Sequence, residues 1–543
     1  MLRKTLLICS MIPGLMAAQP LLAPAVLPFG TVLETAPASL PLTVRNPGPD
    51  SLCADTRIYA IETQYSSLSP FSVTPADFCL APGDSITLTV QCSPAHNLQH
   101  HSELVLHTDR GRGSAHVHLS AQGRYSNPYY SSTENLSEEA LKTALRARLA
   151  QGFISLSYNA SRDELFMEVD NERINGQGAA VNTLTCIYTG TVITGYADRT
   201  AAQNLGFNTE HVFPQGFFNQ DLPMRSDMYH LYPVLESANS ARGNLPFGVV
   251  GTPDWQSGGS KRGGGVFEPR NDAKGDIARC MLYFVIRYQD YQQFLQLQES
   301  VLRAWHLQYL PDAAEIARNQ AISVRQGNRN PFIDYPQLAG RIRVFSGLSA
   351  AQSVYRIQTP DSLIQLGTVR AGDRYTAVLV NTGNQPIRIY GAEVSDGAAA
   401  ADPAPDTVLQ PGYALAVSLT WQRRTAGAWS GTLSLLTDAP GLAQLAFPMQ
   451  GEVLSPQALD PAAAGFRIYP NPARETLWVA APAETGRWSA ELLDVQGRRV
   501  SRTAVYSGGS QARLDLAGLP PGAYLLRIRT RGRSYQQAVS VQR

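Results

Sequence analysis

Residues 208–215, in the middle of this chain, read Asn-Thr-Glu-His-Val-Phe-Pro-Gln. A second segment, residues 239–244, follows it and reads Asn-Ser-Ala-Arg-Gly-Asn. In the first segment, Glu210 places a hard oxygen ligand beside the imidazole of His211, which ordinarily titrates near neutral pH. Asn239 offers another oxygen ligand on a predicted helix. These three residues form a candidate site for a divalent cation and a proton acceptor.

Such a site suits the hydrolysis of a phosphodiester bond. A neutral histidine can take a proton from water, and a divalent cation on oxygen ligands can neutralise the phosphoryl and leaving oxygens. Adjacent residues on an extended strand point to opposite sides, so Glu210 and His211 share one site only if the chain bends or bulges. Pro214 is consistent with such a bend.

Length limits the number of domains, and net charge limits what can be said about binding of nucleic acid. A chain of 543 residues is expected to divide into three to five domains of roughly 100–200 residues. Lysine plus arginine (45) nearly balances aspartate plus glutamate (44). No global field therefore attracts nucleic acid, and net charge neither supports nor excludes a nuclease.

The N-terminus predicts export. Arg3 and Lys4 precede an apolar run that ends at Ala17 and Ala18, so residues 1–18 are predicted to be a secretory signal peptide. No later segment approaches the ~20 apolar residues of a transmembrane helix, so we expect no stable membrane span and a soluble mature protein.

Export also permits disulfides. After loss of the signal peptide five cysteines remain, namely Cys53, Cys79, Cys92, Cys186 and Cys280. The odd count leaves at least one thiol free or paired between chains. Spacing cannot fix the connectivity, and both a bridge in the first module and a Cys186–Cys280 bridge are considered.

Two segments at residues 19–125 and 341–453 repeat the same order of motifs. Phe-Gly-Thr-Val at 29–32 corresponds to Leu-Gly-Thr-Val at 366–369, and a Pro-Gly turn follows in each. Short alternating runs between turns are typical of β-sandwiches. Both segments resemble Ig-like modules related to the ASH domain, a resemblance that implies architecture alone.

A last small module, residues 465–543, also alternates like a β-sandwich. It resembles the C-terminal sorting domain of type IX secretion substrates through Tyr-Pro-Asn-Pro-Ala at 469–473, Leu-Asp-Val-Gln-Gly-Arg at 493–498 and Leu-Pro-Pro-Gly-Ala-Tyr at 519–524. The resemblance implies the type IX machinery as a partner, with removal of the module and release or surface anchoring. Two alternatives are a further solubilising sandwich and, since basic residues exceed acidic ones by roughly seven, a nucleic-acid-binding surface.

The middle domain, residues 136–338, has a helical sequence pattern that the two sandwiches lack. Helices are predicted over residues 138–146, 276–291 and 294–309 from the spacing of their apolar residues. The Gly-rich run 248–269 is predicted to be a flexible loop; it lacks the residue order of a phosphate-binding loop.

The middle domain resembles the bacterial endonuclease I family, whose active site is a His-Me finger (ββα-metal). The motifs are Tyr-Thr-Gly at 188–190, Glu210-His211, Ser-Asp-Met-Tyr-His-Leu at 226–231, Asn-Ser-Ala-Arg-Gly-Asn at 239–244, Lys-Gly-Asp-Ile-Ala-Arg at 274–279 and Gln-Gly-Asn-Arg-Asn-Pro-Phe at 326–332. The resemblance implies that His211 is the general base and that Glu210 and Asn239 hold Mg²⁺, with Mn²⁺ or Ca²⁺ as alternatives. It further implies products with 5′-phosphate and 3′-hydroxyl ends.

Arginines and an asparagine around this core are candidates for contact with phosphate. They are Arg242, which we also take as catalytic, and Asn244, Arg279 and Arg329; their alternative interpretation is surface charge or intramolecular capping. Some relatives carry a cysteine-bearing insert after the histidine that supplies an arginine to the phosphate. This chain lacks the insert, and Arg225 is the nearest substitute. His230 is expected to support the fold or orient a neighbour.

Five histidines crowd the first sandwich, at positions 100, 101, 107, 116 and 118. His116 and His118 would share a strand face. We interpret the group as chance surface histidines, since no carboxylate or cysteine joins them at ligand spacing.

The sequence thus predicts a multidomain protein with an α+β His-Me finger nuclease domain flanked by two Ig-like β-sandwiches, plus a small C-terminal β-sandwich. We expect a secreted or surface-attached, Mg²⁺-dependent, largely sequence-nonspecific endonuclease that acts as a monomer on DNA, with RNA left open. The alternative is a surface adhesin or nucleic-acid-binding protein whose nuclease-like domain is a non-catalytic scaffold.

Overall fold

The computed structural model describes residues 21–542 apart from short gaps at 49–50, 62–68, 109–112, 289–291, 360–361, 403–405, 424, 455–460, 484, 503–505, 508 and 531–532. The predicted signal peptide lies outside the described residues. The chain divides into two compact units. We call Ala95–Leu98 with Gly123–Gln352 the central unit, and the remainder the β-rich unit.

The N-terminal sandwich of the β-rich unit has two sheets around one core. Its described strands are β1 (Val26–Leu33), β2 (Ala38–Arg45), β3 (Leu52–Ala60), β4 (Phe71–Thr74), β5 (Asp77–Leu80), β6 (Ser85–Cys92), β7 (Gln99–Thr108) and β8 (Ser114–Arg124). The sheet orders are β1-β8-β7-β3-β5 and β2-β6-β4. Alternation packs Leu88 and Val90 of β6 against the core. A disulfide joins Cys53 and Cys79, which are cross-strand partners, so the bridge predicted in this module is confirmed.

The central unit is α+β. Its described helices are α1 (Glu138–Ala150), α2 (Tyr158–Glu164), α3 (Arg199–Asn204), α4 (Glu236–Arg242), α5 (Asn271–Arg287), α6 (Gln292–Gln296), α7 (Glu299–Gln308), α8 (Ala313–Gln326) and α9 (Pro331–Asp334). Its described strands are β9 (Thr183–Thr185), β10 (Val192–Thr194), β11 (Phe207–His211), β12 (Leu231–Leu235), β13 (Trp255–Ser257), β14 (Ser260–Gly263) and β15 (Val266–Glu268).

Helix α5 runs through the middle of this unit. Almost its whole circumference is buried, including Ile277, Met281 and Phe284, which identifies it as a core helix rather than a surface one. Cys186 and Cys280 are free thiols in the same core. The bridge considered between them is therefore not formed.

The run 248–269, predicted to be a loop, instead contains a three-stranded antiparallel sheet formed by β13, β14 and β15. Both connections are two-residue Gly-Gly turns, Gly258-Gly259 and Gly264-Gly265, and all four glycines have positive φ. Two-residue hairpin turns favour such backbone angles, which glycine adopts without steric cost. The prediction was wrong because the glycines mark tight hairpins.

The second sandwich begins later than predicted. Arg341, placed at its start, is buried in the central unit, where its guanidinium donates to Asn97 Oδ1 (2.5 Å) and to the carbonyl of Thr133 (2.9 Å). Phe345 belongs to the same core. The central unit therefore extends on both sides of the predicted domain 136–338, from Gly123 to Gln352.

The described strands of the second sandwich are β16 (Ile357–Gln358), β17 (Ile364–Val369), β18 (Arg374–Asn381), β19 (Ile387–Val394), β20 (Ala399–Asp402), β21 (Thr407–Leu409), β22 (Ala414–Trp421), β23 (Gly427–Thr437) and β24 (Gln444–Val453). They form two sheets, β16-β18-β22-β20 and β17-β24-β23-β19-β21.

The C-terminal module contains two further sheets around a core of its own. Its described strands are β25 (Arg467–Tyr469), β26 (Thr476–Ala480), β27 (Trp488–Leu493), β28 (Arg499–Arg502), β29 (Gln511–Asp515), β30 (Gly522–Thr530) and β31 (Arg533–Val541). The sheet orders are β25-β26-β29 and β28-β27-β30-β31.

The histidines of the first sandwich are not chance surface residues. Glu103 on β7 is buried and accepts hydrogen bonds from His116 Nδ1 (3.0 Å) and His118 Nδ1 (2.9 Å), so a carboxylate does join them. The ring of His118 stacks on Tyr413 of the second sandwich, with centroids 4.0 Å apart, and Ala414 N donates to Glu103 Oε1 (3.1 Å). The cluster is a polar contact between the two sandwiches of the β-rich unit.

Among the residues that the structure describes, none of the helices combines the length and apolar character that a membrane crossing requires.

Candidate active site

Glu210 and His211 lie at the end of β11, which pairs antiparallel with β12. The register is continuous from Phe207 opposite Leu235 to His211 opposite Leu231. The predicted bulge is therefore absent from the pair itself, and the two side chains take opposite faces of the strand. Helix α4 follows β12 directly and packs against both strands. The unit consists of two antiparallel strands followed by a helix.

The carboxylate of Glu210 is enclosed, with only 2% of the residue exposed. The Tyr188 hydroxyl donates to Oε1 (2.6 Å), and Arg242 Nη1 lies 3.2 Å from the same oxygen. Burial raises the pKa of Glu210, while Arg242 and Tyr188 oppose that rise. Burial and the adjacent Glu210 also raise the pKa of Tyr188 well above its usual value, so this phenol stays a hydrogen-bond donor.

Arg242 is a positioning residue for Glu210, and the structure contradicts its predicted contact with phosphate. The residue is 1% exposed. Its Nη1 donates to the carbonyls of His211 and Gly243 (both 3.2 Å), and Nη2 donates to the carbonyl of Val212 (2.6 Å). These bonds tie α4 to the end of β11 and leave the guanidinium no room to meet a substrate.

Asn239 lies on α4, three residues before Arg242, and is half-buried. Residues three apart share one helix face, so Asn239 occupies the side of α4 that Arg242 turns toward Glu210. Asn244 lies beyond the end of α4 and is exposed.

His211 contacts a different set of residues from Glu210. Its Nε2 lies 3.2 Å from the backbone carbonyl of Arg225. A carbonyl can only accept, so Nε2 carries the hydrogen and the neutral ring has its lone pair on Nδ1. Burial, with a further contribution from His230, lowers the pKa of His211 to about 3. The imidazole is therefore neutral near pH 7, and its Nδ1 lone pair is not blocked by a proton.

Tyr158 and Arg162 join this face of the strand, and sequence reasoning assigned no role to either. The Ser157 hydroxyl accepts from Ala160 N and so caps α2, which places Tyr158 and Arg162 four residues apart on one helix face. The Tyr158 ring lies 5.5 Å from that of His211. Arg162 Nε donates to Thr209 Oγ1 (3.0 Å). Thr209 precedes His211 by two positions and so shares its face.

Arg225 completes this group. Its guanidinium carbon lies 4.3 Å from the centroid of the Tyr158 ring, and the side chain is half-buried. Its buried Nε has no hydrogen-bond partner among the described residues. The structure thus brings Arg225 beside His211 as a cation that no described carboxylate neutralises.

Two other residues predicted to contact phosphate form intramolecular pairs. Arg279 is 1% exposed and forms a two-pronged pair with Glu315. Arg329 donates hydrogen bonds to both carboxylate oxygens of Asp334, at 2.6 and 2.7 Å. The structure shows both arginines in intramolecular contacts, the alternative considered for them, and their contact with phosphate stays a prediction.

His230 is buried behind the site. Its Nε2 bonds to the carbonyl of Met224 (2.6 Å), and its ring meets His211 edge-on at 5.5 Å. This matches the supporting role predicted for it.

The oxygen donors present fit a hard divalent cation. Tyr188 and Arg242 both contact Oε1 of Glu210, and its Oε2 has no side-chain partner among the described residues. No set of three or more His, Cys, Asp or Glu in the described part of the chain is arranged around a metal position. A cation here would rely on Glu210, the amide of Asn239, and oxygens of water or phosphate.

Comparison with known proteins identifies three segments of the chain. The profile of the family Endonuclease I matches residues 137–337. A secretion system C-terminal sorting domain matches residues 467–542, and a HYDIN/CFA65/VesB-like, Ig-like domain matches residues 21–124.

Similar proteins are secreted or periplasmic nucleases. An extracellular ribonuclease of Bacillus subtilis is 32% identical over 238 residues, which cover 39% of this chain and 77% of the relative. An extracellular ribonuclease of Bacillus amyloliquefaciens is 33% identical over 236 residues, covering 39% and 77%. A periplasmic deoxyribonuclease of Aeromonas hydrophila is 26% identical over 228 residues, covering 36% and 90%.

The site and these matches define the protein as a nuclease that is secreted or displayed at the cell surface. The chain belongs to the endonuclease I family, and it carries a type IX sorting domain at its C-terminus.

Proposed function

We propose that this protein is a Mg²⁺-dependent, largely sequence-nonspecific endonuclease with a His-Me finger site. One observation carries the proposal. The neutral His211 and the buried Glu210 are consecutive residues at the end of β11, on its two faces, and Asn239 lies on the helix that follows. The scissile phosphate would lie at this strand end, where residues on both faces of β11 can reach it.

His211 would act as the general base. Its Nε2–H is held by the carbonyl of Arg225, which fixes the tautomer and leaves Nδ1 to take a proton from water. Tyr158 and His230 pack on the ring and limit its rotation, so the lone pair keeps one direction. A base positioned in this way typically contributes about 10²–10⁴ in rate.

Glu210 and Asn239 would hold Mg²⁺, with Mn²⁺ or Ca²⁺ as alternatives. When bound, the cation would neutralise a non-bridging phosphoryl oxygen and stabilise the leaving 3′-oxygen. Breaking the bond between phosphorus and the 3′-oxygen leaves 5′-phosphate and 3′-hydroxyl ends. Tyr188 and Arg242 would keep the Glu210 carboxylate ionised and correctly aimed.

Arg225 would contact the phosphate. It lies beside His211 without a carboxylate partner among the described residues, as does Arg162, whose Nε is bonded to Thr209; Arg242, Arg279 and Arg329 are occupied. Arg225 would thus take the role that an insert supplies in some relatives. Exposed Asn244 remains a second candidate for contact with nucleic acid.

DNA and RNA are both proposed as substrates. The relatives named above include ribonucleases and a deoxyribonuclease. The C-terminal module would pass the chain to the type IX secretion machinery and then be removed, and the mature enzyme would act as a monomer.

A plasmid-nicking assay with matched RNA substrates tests the proposal. Wild type should cleave in Mg²⁺ and lose cleavage in EDTA, and Glu210→Gln should require more Mg²⁺ for its residual activity. Arg262→Ala is a matched control, because Arg262 pairs with Asp254 at the surface. Binding of nucleic acid without cleavage by wild type would instead support the non-catalytic scaffold.

A further inference from the structure

Arg162 is a buried cation without an acidic partner among the described residues. Only 9% of the residue is exposed, and burial lowers the pKa of its guanidinium. Its Nε donates to the neutral Thr209 Oγ1 (3.0 Å). Asp163, the next residue in the chain, pairs with Arg199 Nε (2.6 Å) instead. An unpaired buried charge is costly, so an anion from outside the protein would be stabilised here.

The outer nitrogens of Arg162 are available to such an anion. Nη1 and Nη2 form no hydrogen bond or ion pair with a residue that the structure describes, and neither is enclosed in the protein. The bond from Nε to Thr209 holds the guanidinium in place while these two nitrogens can still donate. A guanidinium presents its donors as a fork that matches two oxygens of one phosphate. Arg162 is therefore arranged as a phosphate ligand.

A second guanidinium approaches the same aromatic ring. The guanidinium carbon of Arg162 lies 5.0 Å from the centroid of the Tyr158 ring, and that of Arg225 lies 4.3 Å from it. The Tyr158 ring in turn lies 5.5 Å from that of His211. The two like charges repel each other, and bound anions would relieve that repulsion. Two separate cations beside His211 suit two consecutive phosphates of one strand.

The proposed chemistry defines which second phosphate would reach Arg162. On that proposal the leaving 3′-oxygen is stabilised by a cation on the Glu210 face of β11, and water attacks from the His211 face. Attacking and leaving oxygens lie in line across the phosphorus. The departing nucleoside is therefore drawn toward Glu210, while the nucleoside that keeps the phosphate extends past His211. Its own 3′-phosphate would then meet Arg162.

We propose that Arg162 binds the phosphate one nucleotide to the 3′ side of the cleaved bond, next to the scissile phosphate that Arg225 contacts. The site then selects strands that continue in the 3′ direction. The choice of a nucleic-acid phosphate rests on the proposed function. In this assignment Arg162 determines specificity, because it touches a phosphate that does not react.

An octathymidylate with two adjacent phosphates in its middle tests the proposal. All its other linkages are neutral methylphosphonates, and a 5′-fluorescein label lets the length of the product report which phosphodiester was cleaved. The first phosphodiester, counted from the 5′ end, has a phosphate on its 3′ side, whereas the second has a neutral linkage there. Wild type in Mg²⁺ should cleave the first about ten-fold faster than the second, the usual worth of one hydrogen bond to a charged group.

The ratio of these two rates separates Arg162 from the catalytic groups. Arg162→Gln should bring the ratio close to one, because the 3′ phosphate loses its cation. Arg225→Ala should slow both cleavages and keep the ratio, since Arg225 contacts the scissile phosphate in each. Arg262→Ala is the surface control, because Arg262 pairs with Asp254. A partly unfolded variant slows both cleavages equally, so a merely structural role of Arg162 would leave the ratio unchanged.

An unchanged ratio in Arg162→Gln would overturn the inference, as would equal cleavage of the two phosphodiesters by wild type. Faster cleavage of the second phosphodiester would place the extra phosphate on the 5′ side and also contradict it. Cleavage of unmodified oligothymidylate but of neither phosphodiester here would mean that the site requires more than two phosphates, which contradicts the assignment as well. If wild type does not cleave unmodified oligothymidylate in Mg²⁺, the proposed function itself fails, and the inference fails with it.

Discussion

Arg225 and Arg242 contact the two neighbouring residues of β11 in different ways, and their burial separates their roles. Arg242 is enclosed and bonded to three carbonyls and to Glu210. Arg225 is half-buried and lies on the ring of Tyr158. An enclosed guanidinium whose Nη1 and Nη2 are both engaged supports the protein, whereas a half-buried one resting on an aromatic face can turn to a phosphate.

Arg225→Ala is therefore expected to lower kcat about 100-fold, the usual effect of removing one donor that stabilises transition-state charge. The melting temperature should change little, because the aromatic contact is worth only about 0.5–1 kcal/mol. Steady-state cleavage and thermal unfolding measure the two effects, with Arg262→Ala as the surface control. Activity within three-fold of wild type would remove Arg225 from the site.

Arg242→Ala should instead act on stability. It leaves the Glu210 carboxylate buried without its cation, which typically costs about 3–5 kcal/mol. Urea unfolding measures the loss. Adding Glu210→Gln should recover part of it, because the uncompensated charge is gone. If the single variant is as stable as wild type, the ion pair is not what holds α4 to β11.

At the scale of elements, the Gly-Gly hairpins of β13–β15 pack against the site and support it. Ser260 Oγ donates to the carbonyl of Tyr188 (2.6 Å), and Gly258 packs on Thr189 so closely that a Cβ would lie 1.9 Å from its carbonyl oxygen. Tyr188 in turn donates to Glu210. The sheet thus helps to set the position of the carboxylate.

Gly258→Ala and Gly264→Ala form a matched pair of variants. Both glycines have positive φ, but a Cβ at Gly264 meets nothing within 4 Å. Gly264→Ala should cost about 1–2 kcal/mol from backbone strain alone. Gly258→Ala should cost more and also lower cleavage, since Thr189 must move and Tyr188 precedes it. Equal effects of the two changes on unfolding and activity would contradict the claim that this sheet positions Glu210.

Elements whose signal is local could be predicted from the sequence, and those that depend on distant partners could not. The Glu210–His211 pair, the helix beginning at Glu138 and the repeated sandwiches follow from motif and periodicity. The predicted helix at 294–309 is divided between α6 and α7. The ion pair between Arg279 and Glu315, 36 residues away, cannot be predicted from the spacing of residues in the sequence. The same holds for Tyr158 beside His211.

At the scale of the whole molecule, the Glu103 cluster links two sandwiches that the central unit separates in sequence. Burial opposes ionisation of Glu103, but hydrogen bonds from His116 and His118 outweigh it and lower its pKa. Burial, together with His118 and His100, lowers the pKa of His101. His101 Nδ1 lies 3.1 Å from His118 Nε2. One of these two nitrogens carries the hydrogen and the other accepts it, so this contact holds one proton.

Acid should therefore weaken the β-rich unit. The unfolded chain protonates His101 near pH ~6.5 while the folded chain resists, so stability falls as pH drops below that value. The Glu103 contribution is present above pH ~4.5 and is lost as pH falls through its lower folded pKa. Unfolding followed by fluorescence at pH 7.5 and 5.0 measures the difference. His101→Gln should reduce it, whereas His107→Gln, outside the cluster, should not. A His101→Gln protein with the same pH dependence as wild type would contradict this account.

We propose that His211, held by the carbonyl of Arg225 at the end of a β-β-α unit, removes the proton from the water that cleaves nucleic acid. The most direct measurement is the single-turnover cleavage rate of His211→Ala in saturating Mg²⁺, with and without added imidazole. We expect the rate to fall about 10²–10⁴-fold, imidazole to restore part of it, and the binding of oligothymidylate to stay unchanged. Cleavage by His211→Ala at the wild-type rate would contradict it.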